Sequence, residues 1–455
     1  MMRNKKIVSV LLTLILVFYM AIPLLATELT STTEHGYNVD VRWQNEVNSL
    51  ALRDELYSDF GQNRAGDVIF PGYYGGSFLD ENGNMVINMV MHSDTREAAD
   101  SLSPLISRNG LEVRAVEFSY ADLRAVMAYI CNRISYLLYT DPGHPLFDIL
   151  VYETIDVIGN RMAIGLLSIT EECIDIFRQY VIDSPKVIFR ETGPIALAYL
   201  IIDDYDNSIA DINATIDDYG LIDPTSSFIQ FVTVRPGDRI NIEINDPIHG
   251  RVFRGFSVGY GVTVHNTYGS HVGRNGFVTA PHGQAALSLA WSPSLTVQSS
   301  GGSNMGSILQ GYQHFSGHVD AAIVLPGLSH SPFGFSTPHF AVVNEVGGRP
   351  LTRAYLLNLM VGQTLNSIGA TTGGIRSGQV TNNNFTVTHN GVTFTHLVQT
   401  NMGGKGGDSG GLVYNNNMDV AGIIMGADEV PIAGVHPNMF FSRGMNIRNV
   451  LDYTR

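Results

Sequence analysis

Beyond Pro236 the chain breaks into short apolar or alternating runs set apart by Gly, Asn, Ser and Pro. "GFSVGYGVTVH", "NGFVTA", "AAIVLPG", "FAVVNEV", "NFTVTHNGVTFTHLVQT" and "GLVYNNNMDVAGIIMG" follow one another in this way. Runs of that length suit strands, and they are too short for helices. Within "FTVTHNGVTFTH", Asn390-Gly391 is the strongest two-residue hairpin signal. Helical spacing returns only in the terminal "NIRNVLDYT". The pattern predicts an all-β unit over residues 238–455, a sandwich or a barrel.

The first half reads differently. From Gly72 to Glu191, strand and helix patterns alternate. "GGSFLDENGNMVINMVM" predicts a hairpin turning at Asn82 to Asn84, followed by a helical "TREAADSLSPLIS" and a strand "LEVRAVEFS". A second copy follows 76 residues later: "LVYETIDVIGNRMAIGLLSI" turns at Gly159 and Asn160, then helix "EECIDIFRQYVI" and strand "KVIFRE". Between them "ADLRAVMAYICNRISYLLY" predicts a helix with an apolar face through Leu123, Val126, Ile130, Ile134 and Leu137. Residues 27–193 therefore read as an α/β region of two βαβ-type modules.

The remaining segments set the compartment. Residues 1–26 combine three basic residues, an apolar run from Ile7, Pro23 and a small residue at Ala26. That is the layout of a secretory signal peptide, so an extracellular location is expected, with no membrane attachment after its removal. Residues 194–237 run from apolar "IALAYLII" into acidic "DDYDNSIADINATIDDYG". A calcium-binding EF-hand loop fails there, because Ile209 stands in place of its glycine and Thr215 in place of its glutamate. An acidic linker is the better reading.

Charge separates the halves further. Residues 1–237 hold 16 basic and 32 acidic side chains, while 238–455 hold 11 and 10. Neither half has the basic surface that nucleic-acid binding requires. Cys131 and Cys173 are the only cysteines, so no disulfide scaffold or cysteine-based metal site is expected.

"GGKGGDSGGLVY", residues 403–414, sets a lone serine among six glycines. Glycine is used where backbone needs positive φ or close approach. Such a setting suits a nucleophile beside bare backbone N–H groups. Gly407, Ser409 and Gly411 also satisfy G-x-S-x-G, the elbow of α/β-hydrolases. Only 46 residues follow Ser409, and hairpins precede it in place of alternating strands and helices, so that fold is set aside.

The alternative order is histidine, aspartate, serine. His282 follows the apolar strand of "GFVTAPHG", and Asp320 opens the strand of "GHVDAAIVLPG". Intervals of 38 and 89 residues suit two barrels with the site between them. His314 and His318 in "HFSGH" lack the helical setting of a paired-histidine metal motif, and no cofactor or metal is expected.

With these residues, 236–455 resembles the chymotrypsin-fold serine endopeptidases, and most closely their bacterial streptogrisin and α-lytic protease branch. "GFVTAPHG", "DAAIV", "ATTGGIRSGQVT" and "TNMGGKGGDSGGLVY" carry the likeness. The resemblance implies an all-β catalytic domain of two six-stranded antiparallel β-barrels, preceded by an α/β pro-region. It implies His282 as general base, Asp320 as its orienting group and Ser409 as nucleophile. Gly407 and Ser409 would supply the oxyanion N–H groups. A monomeric secreted zymogen acting on proteins or peptides is expected, its pro-region serving as chaperone and inhibitor.

Some positions depart from the family. Pro281 replaces a small residue, Gly283 a cysteine, and Met425 falls where a serine commonly hydrogen-bonds the catalytic aspartate. These departures motivate the alternative of a catalytically weak or dead protein on the same fold acting as a secreted binding protein, or as a surface-anchored one if the apolar N-terminal run stays uncut. Gly403 stands where a tryptic enzyme has its aspartate, so cleavage after Lys or Arg is not expected. Met425, Gly426 and Ala427 are expected to line a wall of the pocket and favour an apolar residue before the scissile bond. His436 offers the contrary choice of an acidic one.

Overall fold

The computed structural model describes residues 41–64, 67–90, 111–194, 196–197, 232–246, 250–265, 273–280, 282, 294–300, 304–326, 340–389, 392–428 and 436–454. The leader, the helix read in "TREAADSLSPLIS", the acidic run of the linker, Pro281, Gly283 and the Asn390-Gly391 turn lie outside the described residues.

The N-terminal half opens with α1 (Val41–Phe60), a helix that the apolar pattern does not announce. Its buried positions are Glu46, Ser49, Arg53 and Leu56, spaced helically but mostly polar. They dock on backbone atoms. Ser49 Oγ donates to Gly83 O, Arg53 to Asn358 O, and Glu46 Oε1 accepts from Thr364 N. Arg42 donates to the carbonyls of Asp80, Glu81 and Gly362. This helix therefore ties a turn of its own half to residues 358–364 of the other.

That turn joins β1 (Tyr74–Leu79) to β2 (Met85–Val90), with β3 (Glu112–Val116) parallel to β2. The Asp80 carboxylate holds it by accepting from Asn82 N and Asn84 N, while Gly83 takes φ +81°. The same order recurs in β4 (Leu150–Asp156), β5 (Arg161–Leu166) and β6 (Val187–Glu191), an antiparallel hairpin followed by a parallel strand. Here Asp156 caps the turn through Gly159 N, and Asn160 adopts φ +50°.

Two capped helices cover the second sheet. Ser119 caps α2 (Tyr120–Thr140) by accepting from Asp122 N, and after a single turn, α3 (Leu146–Ile149), Thr170 caps α4 (Glu171–Tyr180). The buried face of α2 is Leu123, Met127, Ile130, Ile134 and Leu137. Met127 thus takes the place expected for Val126, which is partly buried beside it. This face meets Ile155, Met162, Ile164, Leu166 and Phe177 in one core, into which Val361 of the other half also reaches.

Among the described residues, the C-terminal half is all β apart from its last helix. After the short β7 (Ala196–Leu197), β8 (Val232–Val234) pairs in parallel with β16 (Phe340–Val342). An eight-stranded sheet comprises β9 (Arg239–Asp246), β10 (Gly250–Ser257), β11 (Gly261–Val264), β12 (Asn275–Thr279), β13 (Ser294–Ser299), β14 (Asn304–Ser316), β15 (Val319–Pro326) and the terminal β25 (Tyr453–Thr454). Side chains from β9, β10 and β12 to β15 converge on one core that includes Ile242, Phe256, Phe277, Val297, Ile308 and Val324, so this sheet curls around its own interior.

A two-strand hairpin, β17 (Glu345–Val346) and β18 (Arg349–Pro350), leads to the second barrel. This is a closed ring of six: β19 (Thr364–Ile368), β22 (Leu412–Tyr414), β23 (Val420–Asp428), β24 (Asn438–Arg443), β21 (Val392–Thr400), β20 (Ile375–His389) and back to β19. Leu365, Val398, Val413, Ile424 and Phe441 fill it. Between the two units, α5 (Gly444–Leu451) packs Ile447 and Leu451 against residues of both.

The halves are joined edge to edge. The far end of β20 pairs antiparallel with β4, Thr386 opposite Glu153 and Val387 opposite Tyr152, so one ladder runs from the ring through β4 and β5 to β6. The Tyr152 ring lies over Gly165 and 5.1 Å from that of Phe385, in a cluster with Phe394, Met425 and Phe440. Truncating it removes that packing on both sides of the join. Tyr152→Ala is expected to lower the unfolding free energy of the full chain by about 3 kcal/mol, read by urea denaturation.

Candidate active site

The turn carrying Ser409 is built by a buried carboxylate. Asp408 Oδ1 accepts from the N–H groups of Thr371 and Thr372, at 2.9 and 2.8 Å. Its Oδ2 accepts from Lys405 N at 2.8 Å and from the Thr372 hydroxyl. Gly407 and Gly410 take φ +93° and +85°. A Cβ at Gly410 would lie 2.4 Å from Ser257 O, so this position needs glycine for space as well as for conformation. Ser257 N donates to Ser409 O at 2.7 Å, and Gly410 N to Ile424 O at 2.8 Å, which fixes the serine between β10 and β23.

His282 and Asp320 arrive from the other unit. Asp320 begins β15 and His282 follows β12, two strands that pair directly. Asp320 Oδ1 accepts from His282 N at 3.1 Å, and Oδ2 lies 2.5 Å from His282 Nδ1. His282 Nε2 is 2.6 Å from Ser409 Oγ. Asp320 and Ser409 are fully buried and His282 nearly so. The structure therefore brings His282, Asp320 and Ser409 into one continuous chain of contacts. Gly407 sits two residues away, and its N–H has no acceptor among the described residues.

Three neighbouring features escape the sequence pattern. Ser257 Oγ donates to Gly407 O and accepts from Ala370 N, both at 2.8 Å. It pins the carbonyl of Gly407 from β10. Ser442 Oγ accepts from Asp320 N at 3.1 Å, so a hydroxyl reaches the aspartate's backbone from β24. Met425 offers none. Its side chain is buried in the cluster with Tyr152 and Phe385, and only its carbonyl approaches Ser409 Oγ, at 3.4 Å. The expected pocket wall is thus corrected at Met425, which packs into the join between the halves. A serine inside an apolar strand looks like any buried small residue, which is why Ser257 and Ser442 went unread.

Two other positions singled out in the sequence lie nearby. Gly404 and His436 exchange backbone hydrogen bonds, so His436 borders the glycine turn. His314 bonds Ser316, while the His318 and His396 rings stand 6.3 Å apart edge to face. On the outer edge of β23, Ala427 and Gly426 pair antiparallel with Ala196 and Leu197 of β7.

Residues 39–116 match the family described as the Pro-like N-terminal domain. The C-terminal half thus consists of a curled eight-stranded sheet and a closed six-stranded ring, with His282, Asp320 and Ser409 meeting between them. Among solved structures, chymotrypsin of Cellulomonas bogoriensis aligns at 21% identity and TM-score 0.34, over 49% of this chain and 97% of that one. Thermobifida fusca protease A aligns at 20% and 0.34, over 49% and 98%. Nocardiopsis protease aligns at 22% and 0.34, over 49% and 98%. No curated protein matches the chain.

The Ser257 bridge yields a direct test within this fold. Removing its hydroxyl leaves a buried carbonyl and a partly buried N–H without that partner. Ser257→Ala is expected to cost about 1–3 kcal/mol of stability, measured by urea unfolding monitored by circular dichroism.

Proposed function

We propose that the chain is the precursor of a secreted serine endopeptidase that hydrolyses peptide bonds through an acyl-enzyme. The observation that carries this reading is the 2.6 Å contact of Ser409 Oγ with His282 Nε2, continued by the 2.5 Å contact of Nδ1 with Asp320. In this reading Ser409 Oγ attacks the scissile carbonyl while its proton passes to Nε2. Asp320 orients the imidazole and stabilises its charged form. The N–H groups of Gly407 and Ser409 hold the oxyanion, and the leaving amine takes the proton from Nε2. Water then repeats the sequence on the ester. No step requires a cofactor.

The N-terminal half would act as folding aid and inhibitor. Two observations support this. Its last described strand, apolar Ala196-Leu197, lies on Gly426 and Ala427, and its direction runs toward Met425, whose carbonyl meets Ser409. Ser409 itself is fully buried in the full chain. Export through the leader and maturation by self-cleavage shortly after Leu197 complete the proposal, with a preference for apolar residues before the scissile bond.

Ser409→Ala is expected to reduce peptide hydrolysis by more than a factor of about a thousand and to abolish fluorophosphonate labelling. The same variant should remain a single band at full length, whereas the native chain is cut after Leu197. Residual hydrolysis within about a hundredfold of native would exclude Ser409 as the nucleophile.

A further inference from the structure

The ladder that joins the two halves buries a carboxyl group that the chemistry of the active site does not use. Glu153 lies on β4 opposite Thr386 of β20 on one side and Ile164 of β5 on the other. Its side chain is fully buried, and Oε2 has no hydrogen-bond partner among the described residues. The Thr386 hydroxyl beside it is also buried and meets the Cys131 thiol. Val151 and Ile155, two residues away on either side, are apolar, as are Met127, Ile130 and Ile134 on the helix above.

From that helix only the Cys131 thiol approaches, with Sγ 3.9 Å from Oε1. It is the one titratable group facing Glu153 among the described residues, and no arginine, lysine or histidine compensates the carboxylate. Burial pushes the thiol itself up to about 12, so it brings no charge. Asp408 makes the contrast plain, since its carboxylate is equally enclosed but accepts from three backbone N–H groups and a hydroxyl.

One wall of this enclosure, Thr386, belongs to the other half. Without β20, β4 becomes the edge of its sheet, and the flank of Glu153 now covered by Thr386 opens to water. A carboxyl that is solvated in one state and enclosed without donors in the other binds its proton more tightly in the enclosed state.

We propose that Glu153 makes the docking of the N-terminal half depend on pH: its protonated form lets β4 and the hairpin strand close together, and its ionisation drives them apart. The switch rests on the reading of the N-terminal half as an inhibitor, because it would time that inhibitor's release. Burial raises the docked carboxyl to about 8, against an ordinary exposed value of about 4.3. The contribution to docking is thus complete below the exposed value and is lost as pH rises through the docked one. Over the interval between them the undocking equilibrium should increase by up to about tenfold per pH unit, then level off above about pH 8.

The test uses the full chain with Ser409→Ala, which keeps it uncut. Amide hydrogen exchange of residues 150–156 and 383–389, corrected for intrinsic rates, reports opening of the β4–β20 pair between pH 5 and 9. Opening should rise in this chain and stay level when Glu153→Gln is added, because an amide cannot ionise. Equal pH slopes with and without Glu153→Gln would overturn the proposal. A carbon-13 titration of Glu153 in the unsubstituted side chain gives a second reading that does not depend on how that variant folds. A midpoint near 8 supports the switch, and one near 4.5 overturns it.

Peptide hydrolysis by the Ser409 chain separates the two claims. Opening that follows Glu153 without any gain in hydrolysis would uphold the switch and refute the inhibitor reading. Hydrolysis released with the same slope in the Glu153→Gln chain would refute the switch alone.

Discussion

A carboxylate can be enclosed without a cation only where donors surround it, and the Asp408 side chain has four. Those donors come from two separate stretches, the loop after β19 and the glycine turn itself. Satisfying one buried charge therefore fixes two segments of the second barrel against each other. The turn then has little freedom left, and Gly407 and Gly410 at positive φ accept the shape that results. Ser257 extends the constraint to the first barrel by holding the carbonyl of Gly407 from β10. Ser409 is thus presented to His282 by a set of contacts that spans both units.

Glu153 represents the opposite solution to the same problem. It is as deeply enclosed as Asp408, but the groups around it are apolar or weakly polar. One oxygen meets a thiol and the other meets nothing among the described residues. A buried group left in that condition costs stability when charged, so it belongs where a contact has to be reversible. The permanent turn of the site has a fully satisfied carboxylate, and the separable join has an unsatisfied one.

The sequence made β11, β12, β15, β16, β21, β22 and β23 legible because each lies in a short apolar or alternating run closed by turn residues, but β9, β13, β14, β19 and β24 fall outside those runs and were not expected. It also pointed to His282, Asp320 and Ser409, since each stands at the end of a run with its own local signature. What it concealed was polar burial. The inward face of α1 is Glu46, Ser49 and Arg53, and no apolar period marks a face of that kind. Ser257 and Ser442 were invisible for a related reason, because each acts on backbone atoms that come from distant strands. Met425 was misplaced in the pocket because strand alternation alone does not register the bulge between Ile424 and Gly426, which turns the side chain toward the join. The pairing of Ala196-Leu197 with β23 depends on the fold of the other half, so nothing near residue 196 could announce it.

Net charge does not hold the halves together. Residues 27–237 carry 13 basic and 32 acidic side chains, net −19, while 238–455 carry 11 and 10, net +1. A nearly neutral partner gives that excess little to attract. Apart from the apolar packing of Tyr152 and Val361 and the meeting of Cys131 with Thr386, the polar contacts that cross the join address backbone. Arg42 and Arg53 donate to the carbonyls of Gly362 and Asn358, Glu46 accepts from Thr364 N, and β4 and β7 add their ladders to β20 and β23. Backbone recognition fixes register and direction, because a shift of one residue would turn every side chain of β4 to the opposite face. Tyr152 would then leave its place beside Phe385, and Glu153 its place opposite Thr386. The same register that packs the tyrosine is what encloses the carboxyl, so a tight fit and a labile one are set by adjacent residues of a single strand.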